Sequence, residues 1–133
     1  MARERQFYID AIVRDYFGAM DSGDVDATVA CFAPDATLTC ESSDMRLKGH
    51  DELRAFFKDL CVRTAAMVHQ VTNFVVDEAN GRCAVEIVYR NEHKDGSLYD
   101  MENCNFFDFG PDGKFARVRF WTGEFVDQGE HGK

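Results

Sequence analysis

The sequence lacks the features that mark several large classes of protein. Its five cysteines are odd in number and include no C-x-x-C pair, so we expect neither a disulfide framework nor a zinc site. The four histidines show no metal-ligand spacing, and we predict no bound metal and no cofactor. Lysines and arginines form no cluster, and the net charge of -9 opposes contact with nucleic acid or anionic lipid.

Long apolar runs are also missing. Charges at Asp10, Arg14 and Asp15 interrupt the apolar positions near the N-terminus, so we predict no signal peptide, no membrane span and a cytoplasmic location. Repeats and linkers are absent, and we expect the polar tail Asp127–Lys133 to be disordered. A chain of 133 residues that is 45% hydrophobic can form one domain, over residues 1–126, with a substantial core.

Apolar residues at helical spacing predict a hairpin of two helices at the start of the chain. The first helix runs from about residue 5 to residue 20, and its apolar face consists of Tyr8, Ile9, Ile12, Val13, Tyr16, Phe17 and Met20. Gly23 is expected to end it, and Asp24 to cap a short second helix. That helix should carry Val25, Val29 and Phe32 inward before Pro34 stops it.

The rest of the chain predicts one more helix and a sheet. After a short strand over Ala36–Cys40, a helix following Gly49–Glu52 places these residues on one side: Leu53, Phe56, Phe57, Leu60 and Cys61. The predicted strands are Val68–Asp77, Cys83–Glu92, Leu98–Phe109 and Phe115–Phe125. They are joined by the turn dipeptides Asn80-Gly81, Asp95-Gly96 and Asp112-Gly113.

This order of elements predicts an α+β domain, in which three helices cover one face of a curved, four-stranded antiparallel sheet. The other face then needs a cover of its own. Candidates for an apolar outer face are Val85, Ile87, Tyr89 and Phe106. We therefore predict a homodimer that forms sheet against sheet.

Several segments resemble the nuclear transport factor 2-like superfamily. They are Tyr16–Asp26, Cys31–Leu38, Gly49–Leu53 and Asp112–Val118. The resemblance covers nearly the whole chain and implies a cone-shaped fold around an apolar pocket, commonly in a dimer. It does not fix a function, because this superfamily includes isomerases, dehydratases, polyketide cyclases, epoxide hydrolases and binding modules.

One pattern within the superfamily is that of lyases with an Asp-His dyad, such as scytalone dehydratase and lindane dehydrochlorinase. Asp21 falls at the aspartate position and His69 at the histidine position, while Asn105 matches a pocket asparagine. In the ketosteroid isomerase pattern, Tyr16 matches the oxyanion-hole tyrosine. The general-base aspartate of that pattern falls on Cys40 and its second acid on Asn105, so the isomerase pattern is incomplete.

Each of these residues also has a structural interpretation. Asp21 lies in a stretch whose residues favour a turn. His69 sits on a strand of which either face can be the inward one, and Tyr16 can line a pocket without a catalytic role. Cys40 is better suited to a small apolar filler than to a nucleophile. The predicted pocket wall consists of Phe17, Cys40, Phe57, Phe107 and Trp121.

The resemblance implies a cofactor-free lyase or isomerase for a small apolar or cyclic molecule, with His69 as general base and Asp21 as its orienting partner. Asn105 and Tyr16 are the expected hydrogen-bonding groups. Two alternatives remain open. The chain can be a non-catalytic binding or dimerising module, or a SnoaL-like polyketide cyclase that uses another acid, such as Glu86 or Asp100.

Overall fold

The computed structural model describes residues 3–123 and shows three helices packed against one face of a six-stranded sheet. Helix α1 covers residues 5–21, α2 covers Val25–Ala30 and α3 covers Gly49–Arg63. The predicted α+β arrangement is confirmed. The predicted disordered tail, residues 127–133, lies outside the described residues.

Helix α1 is continuous but changes its winding. An α-helical turn, Arg5–Ile9, leads into a π-helical segment, Asp10–Phe17, and the helix closes with Gly18–Asp21. The wider winding shows in the backbone, where the Gly18 N–H donates to the carbonyl of Val13, five residues earlier. Tyr16 and Phe17 are adjacent in sequence, and both are buried at the end of this segment.

The sheet has the strand order β2-β1-β6-β5-β4-β3. Its strands are β1 (Phe32–Cys40), β2 (Arg46–Lys48), β3 (Thr64–Asp77), β4 (Arg82–His93), β5 (Leu98–Phe109) and β6 (Phe115–Thr122). Strands β3 to β6 form the predicted antiparallel meander, whereas β1 and β6 are parallel. The predicted four strands were therefore too few. A three-residue strand with two basic residues carries no readable alternation, and Phe32 begins β1 rather than ending α2.

The predicted turns between β3 and β6 match the backbone. Gly81, Gly96 and Gly113 all have positive φ, at 62°, 91° and 79°. At Gly81 the turn must reverse the chain within a few residues. Residues other than glycine rarely adopt the positive φ that this requires. These turns set the register that brings the site residues together.

The inner face of the sheet differs from the predicted one. Val85 and Ile87 are 0% and 2% exposed and belong to the core, and Tyr89 packs against it. Assigning these residues to the outer face was wrong, because the alternation along β4 has the opposite phase. Phe106 does lie on the outer face and is 38% exposed.

An aromatic cluster fills the space between α1 and the sheet. The ring of Tyr16 lies at its centre, with centroids 5.1–6.3 Å from the rings of Phe17, Phe32, Phe57, Phe107 and Phe115. Edge-to-face contacts of this kind stabilise beyond the burial of area alone. The cluster leaves one part of the inner face unfilled, and the candidate site lies there.

Candidate active site

A cavity of about 130 Å³ lies between α1, α3 and the inner face of the sheet. Most of its wall is apolar, formed by Phe17, Met20, Leu38, Phe56, Phe57, Leu60, Ile87, Met101 and Phe120. The polar side chains of the wall are Tyr16, His69, Tyr89, Asn103, Asn105 and Thr122. A small set of polar groups in an apolar wall is the usual composition of a ligand site.

Asp21 and His69 meet at the edge of this cavity. The Asp21 Oδ1 atom lies 2.6 Å from His69 Nδ1, and the backbone N–H of His69 donates to Asp21 Oδ2 at 2.9 Å. Both carboxylate oxygens therefore hold the same residue. Because an ionised carboxylate only accepts hydrogen bonds, the proton of a neutral His69 ring lies on Nδ1, and Nε2 carries the lone pair.

Local structure explains why the two side chains meet. Asp21 is the last residue of α1, and the following turn through Gly23, with φ of 78°, turns the chain away. Asp24 then caps α2 by accepting from the Ala27 N–H at 3.0 Å. This leaves Asp21 free to reach β3, where His69 points inward between Met67 and Val71.

Aromatic contacts fix the His69 ring. It stacks on Phe17, with centroids 4.5 Å apart and planes 7° apart, and its centroid lies 4.8 Å from that of Tyr89. The His69 side chain is 7% exposed, whereas that of Asp21 is 25% exposed. The pair thus joins the cavity to the surface, with the imidazole inside and the carboxylate at the boundary.

Asn103 and Asn105 lie on β5, two residues apart on the inner face. Asn105 is 7% exposed. The Oδ1 atoms of both amides are buried and accept no hydrogen bond from residues 3–123. A buried polar atom without a partner is costly, so both amides are candidates for ligand contact.

Family comparison places this fold and cavity in a known group. The model of the SnoaL-like domain matches residues 13–118. The chain belongs to the SnoaL-like family. Membership supports a role in converting or binding a small molecule. No curated protein matches this SnoaL-like protein in sequence.

Solved structures share the fold of this SnoaL-like protein at low identity. A proposed aromatic ring hydroxylase from Novosphingobium aromaticivorans has a TM-score of 0.83 and 22% identity, with 97% of this chain and 96% of that chain covered. The BvnE pinacolase from Penicillium brevicompactum has a TM-score of 0.78 and 19% identity, with coverage of 90% and 88%.

A third structure of this fold is the epoxide hydrolase/cyclase-like enzyme SalBIII of salinomycin pyran ring formation. It has a TM-score of 0.76 and 21% identity, with 90% of this chain and 93% of that chain covered. At such identities the likeness establishes the nuclear transport factor 2-like fold expected from the sequence. It does not transfer a reaction.

Tyr16 lines the cavity from the middle of the aromatic cluster. Burial raises the pKa of its phenol far above the ordinary value, and the nearby Cys31 thiol adds a smaller contribution in the same direction. Tyr16 therefore keeps its proton at any physiological pH. It is suited to donate a hydrogen bond and cannot serve as an anionic base.

Two of the five residues predicted for the pocket wall line the cavity of this SnoaL-like domain. Phe17 and Phe57 line the cavity, whereas Cys40 and Phe107 are buried in the adjoining core and do not form its wall. Trp121 lies on the opposite face of the sheet, is 37% exposed and packs edge-on against Phe106 at 5.5 Å. Placing it in the wall was wrong because Phe120 points inward and its neighbour must point outward.

The sequence-based site set omitted Asn103 and Thr122, which face the cavity as direct cross-strand neighbours. The spacing of Asn103 and Asn105 by two residues was the available signal, because such residues share a strand face.

The alternative acids lie outside the cavity. Glu86 is exposed and accepts from Asn73 Nδ2 at 2.8 Å, and Asp100 pairs with Arg90 at 2.8 Å. Within residues 3–123, no group of three or more His, Cys, Asp or Glu side chains is placed to hold a metal ion. No helix in that part of the chain is long and apolar enough to span a membrane.

Proposed function

We propose that this SnoaL-like protein is a cofactor-free lyase or isomerase that removes a proton from a small, largely apolar or cyclic molecule. His69 is the general base, Asp21 orients it, and Asn105 and Tyr16 bind the oxygen of the substrate. The observation that carries the proposal is the 2.6 Å contact between Asp21 and His69 Nδ1 beside the cavity. It leaves Nε2 as the basic atom.

The proposed reaction begins at a carbon next to a carbonyl group. His69 Nε2 takes a proton from this carbon, and the electron pair of the broken C–H bond moves toward the carbonyl oxygen to give an enolate. Asp21 stabilises the imidazolium that forms. The hydroxyl of Tyr16 and the amide of Asn105 donate to the enolate oxygen.

The proton on the imidazolium can then leave in two ways. In an isomerase, the imidazolium returns the proton to another carbon of the same molecule. In a lyase, the enolate expels a hydroxyl group from the adjacent carbon, and the imidazolium protonates it so that water leaves. Either outcome restores neutral His69, and neither needs an oxidant, a reductant or a second substrate.

Solvent deuterium exchange tests the base without knowledge of the natural substrate. Small cyclic ketones are incubated with the protein in D₂O, and NMR follows deuterium at the carbon next to the carbonyl. Wild-type protein is expected to accelerate exchange, and His69→Gln to lower the rate by roughly 10²–10⁴-fold. His93→Gln is the matched control, because His93 packs against Tyr99, with the ring planes 48° apart, outside the cavity.

Equal exchange rates for wild-type protein and His69→Gln would overturn the catalytic assignment. A wild-type protein that binds such ketones without exchanging their protons would instead be a binding module. The unpaired amides favour this second function independently of His69, since they call for a ligand whether or not chemistry follows. A cyclase that relies on Glu86 or Asp100 has no such support, because both acids lie away from the cavity.

The outer face of the sheet supports a homodimer. Its large apolar side chains remain exposed in the single chain: Val68, Val75, Leu98, Phe106 and Trp121. Large apolar side chains that stay exposed on a sheet face are covered in many soluble proteins by a second copy. Sedimentation analysis is expected to show a dimer, and the double variant Phe106→Glu, Trp121→Glu is expected to be monomeric. A monomeric wild-type protein would contradict the proposal.

A further inference from the structure

We infer that Asn103 and Asn105 form a hydroxyl-binding site, and that the ligand is a hydroxylated molecule about the size of one six-membered ring. This inference rests on the proposed function only in placing the ligand in this cavity. It assigns a role to Asn103 and names a ligand class, both of which go beyond the Asp21–His69 pair.

The first step is the bonding state of the two amides. Both Oδ1 atoms are buried and lack a donor within residues 3–123. Two acceptors on the inner face of the sheet are therefore unpaired. Asn105, at 7% exposure, cannot turn outward to water.

The surroundings cannot supply the missing partners. The cross-strand neighbours of Asn105 are Val85 and Phe120, both apolar, and the Asn103 amide forms no hydrogen bond with its neighbour Thr122 in the described chain. A hydroxyl group donates the hydrogen bond that each Oδ1 atom lacks. It is thus the smallest neutral group of an organic ligand that pairs with these oxygens.

The cavity is partly open, and its volume limits the part of the ligand that it can enclose. An apolar cavity of about 150 Å³ holds one benzene molecule. The present cavity measures about 130 Å³, which matches one ring with a small substituent. A fused two-ring molecule needs a substantially larger space.

The strand positions orient such a ring. His69 lies on β3 and the two amides on β5, with β4 between them. His69 pairs through Tyr89 with Met101. Asn103 therefore lies two residues, and Asn105 four residues, farther along β5. Two strand spacings and the two-residue offset put the Cα atoms of His69 and Asn103 about 12 Å apart, and side chains that project into the cavity from both sides shorten the gap. A single ring can therefore place a hydroxyl group at Asn103 and a C–H bond near His69 Nε2.

Paired ligands test the hydroxyl-binding site. Phenol and toluene have the same shape and differ in one hydroxyl group, and calorimetry or NMR titration measures their affinities. An unpaired buried group costs about 1–3 kcal/mol, so wild-type protein is expected to prefer phenol by roughly 5–150-fold. The variants Asn103→Leu and Asn105→Leu are each expected to reduce this preference, and together to abolish it.

Asn73→Leu is the matched control, because this amide lies on the same sheet but outside the cavity and bonds to Glu86. It is expected to keep the phenol preference. Equal affinity of wild-type protein for phenol and toluene would overturn the inference. An undiminished preference in the double leucine variant would also overturn it.

A second ligand pair tests the size limit. 2-Naphthol carries the same hydroxyl group on two fused rings, and it is expected to bind at least tenfold more weakly than phenol. Equal or tighter binding of 2-naphthol would refute the one-ring assignment.

The two proposals fail separately. His69→Gln is expected to lose deuterium exchange and to keep the phenol preference, because the hydrogen bonds of His69 go to Asp21 and not to the amides. If wild-type protein prefers phenol but exchanges no ketone protons, the hydroxyl-binding site stands and the catalytic proposal falls. If His69 supports exchange but phenol and toluene bind equally, the reverse holds.

Discussion

Two amides on the inner face of the sheet have opposite bonding states. Asn91 is 1% exposed, and its Nδ2 donates to the Tyr89 hydroxyl at 2.7 Å and to Thr64 Oγ1 at 3.1 Å. Asn105 is 7% exposed, and its Oδ1 has no donor among the described residues. The Asn91 amide is bonded within the fold, whereas the Oδ1 atom of Asn105 can accept a hydrogen bond from another molecule.

His69 combines both states in one ring. Nδ1 is held by Asp21, as a structural group would be, while Nε2 bonds to nothing within residues 3–123. One ring nitrogen therefore holds the side chain in position, and the other is left to act on a ligand. The difference between paired and unpaired groups can be tested residue by residue.

The largest expected effect comes from weakening the paired side of His69. Asp21→Asn keeps the size of the side chain but removes the charge that stabilises the imidazolium. The same charge selects the tautomer of the neutral ring. We expect ketone deuterium exchange to fall by roughly 10²–10⁴-fold. Asp24→Asn is the control, since Asp24 only caps α2 and its loss should leave exchange unchanged. Equal exchange in Asp21→Asn and wild-type protein would mean that the pair is structural.

The next effect concerns the satisfied amide. Asn91→Leu removes the donor to the hydroxyl oxygens of Tyr89 and Thr64, each of which then keeps only the hydrogen bond that it donates itself. We expect the free energy of unfolding, measured in urea, to fall by about 1–3 kcal/mol. An unchanged value would show that the hydrogen bonds of Asn91 contribute no net stability.

Asn105→Leu should behave in the opposite way. Leucine has a similar size, and it replaces an unpaired amide with an apolar group in an apolar wall. We expect the free energy of unfolding to stay within about 0.5 kcal/mol of the wild-type value or to rise. A loss as large as that of Asn91→Leu would place Asn105 among the structural residues and remove the comparison.

The smallest effect concerns thiols in the packed part of the inner face. The pKa of the Cys83 thiol is raised to about 12, chiefly by burial, while Arg5 lowers it and Asp77 raises it by smaller amounts. Thiolate is the reactive form, so Cys83 should remain protonated and unreactive until the pH approaches that value. Mass spectrometry after iodoacetamide treatment of the native protein at pH 8 should find Cys83 unmodified. Treatment in urea is the control, and rapid native labelling would contradict this prediction.

The sequence predicted the elements better than the directions of the side chains. The apolar face of α1 and the glycine turns are local patterns, and both are present. The expected neighbourhood of Asp21 and His69 depended on the family resemblance, because the two residues are 48 positions apart. No local pattern brings such residues together.

Strand phase caused the errors. Trp121 was expected inside, and Val85 and Ile87 outside, yet each lies on the other face. Aromatic and branched residues occupy both faces of β4 to β6, so hydrophobicity does not mark the inward side, and a shift of one residue reverses every assignment. Asn103 was missed because the family resemblance marked only Asn105, although residues two apart on a strand share a face.

A crystal structure of the protein with a small cyclic hydroxyketone tests the central claim most directly. We predict one ring in the cavity, with its carbonyl oxygen about 2.6–3.2 Å from the Asn105 amide and its hydroxyl oxygen within the same distance of the Asn103 amide. The carbon next to the carbonyl should then lie about 3–3.5 Å from His69 Nε2. A ligand bound only outside the cavity, or bound inside with His69 turned away and both amides still unpaired, would contradict the account.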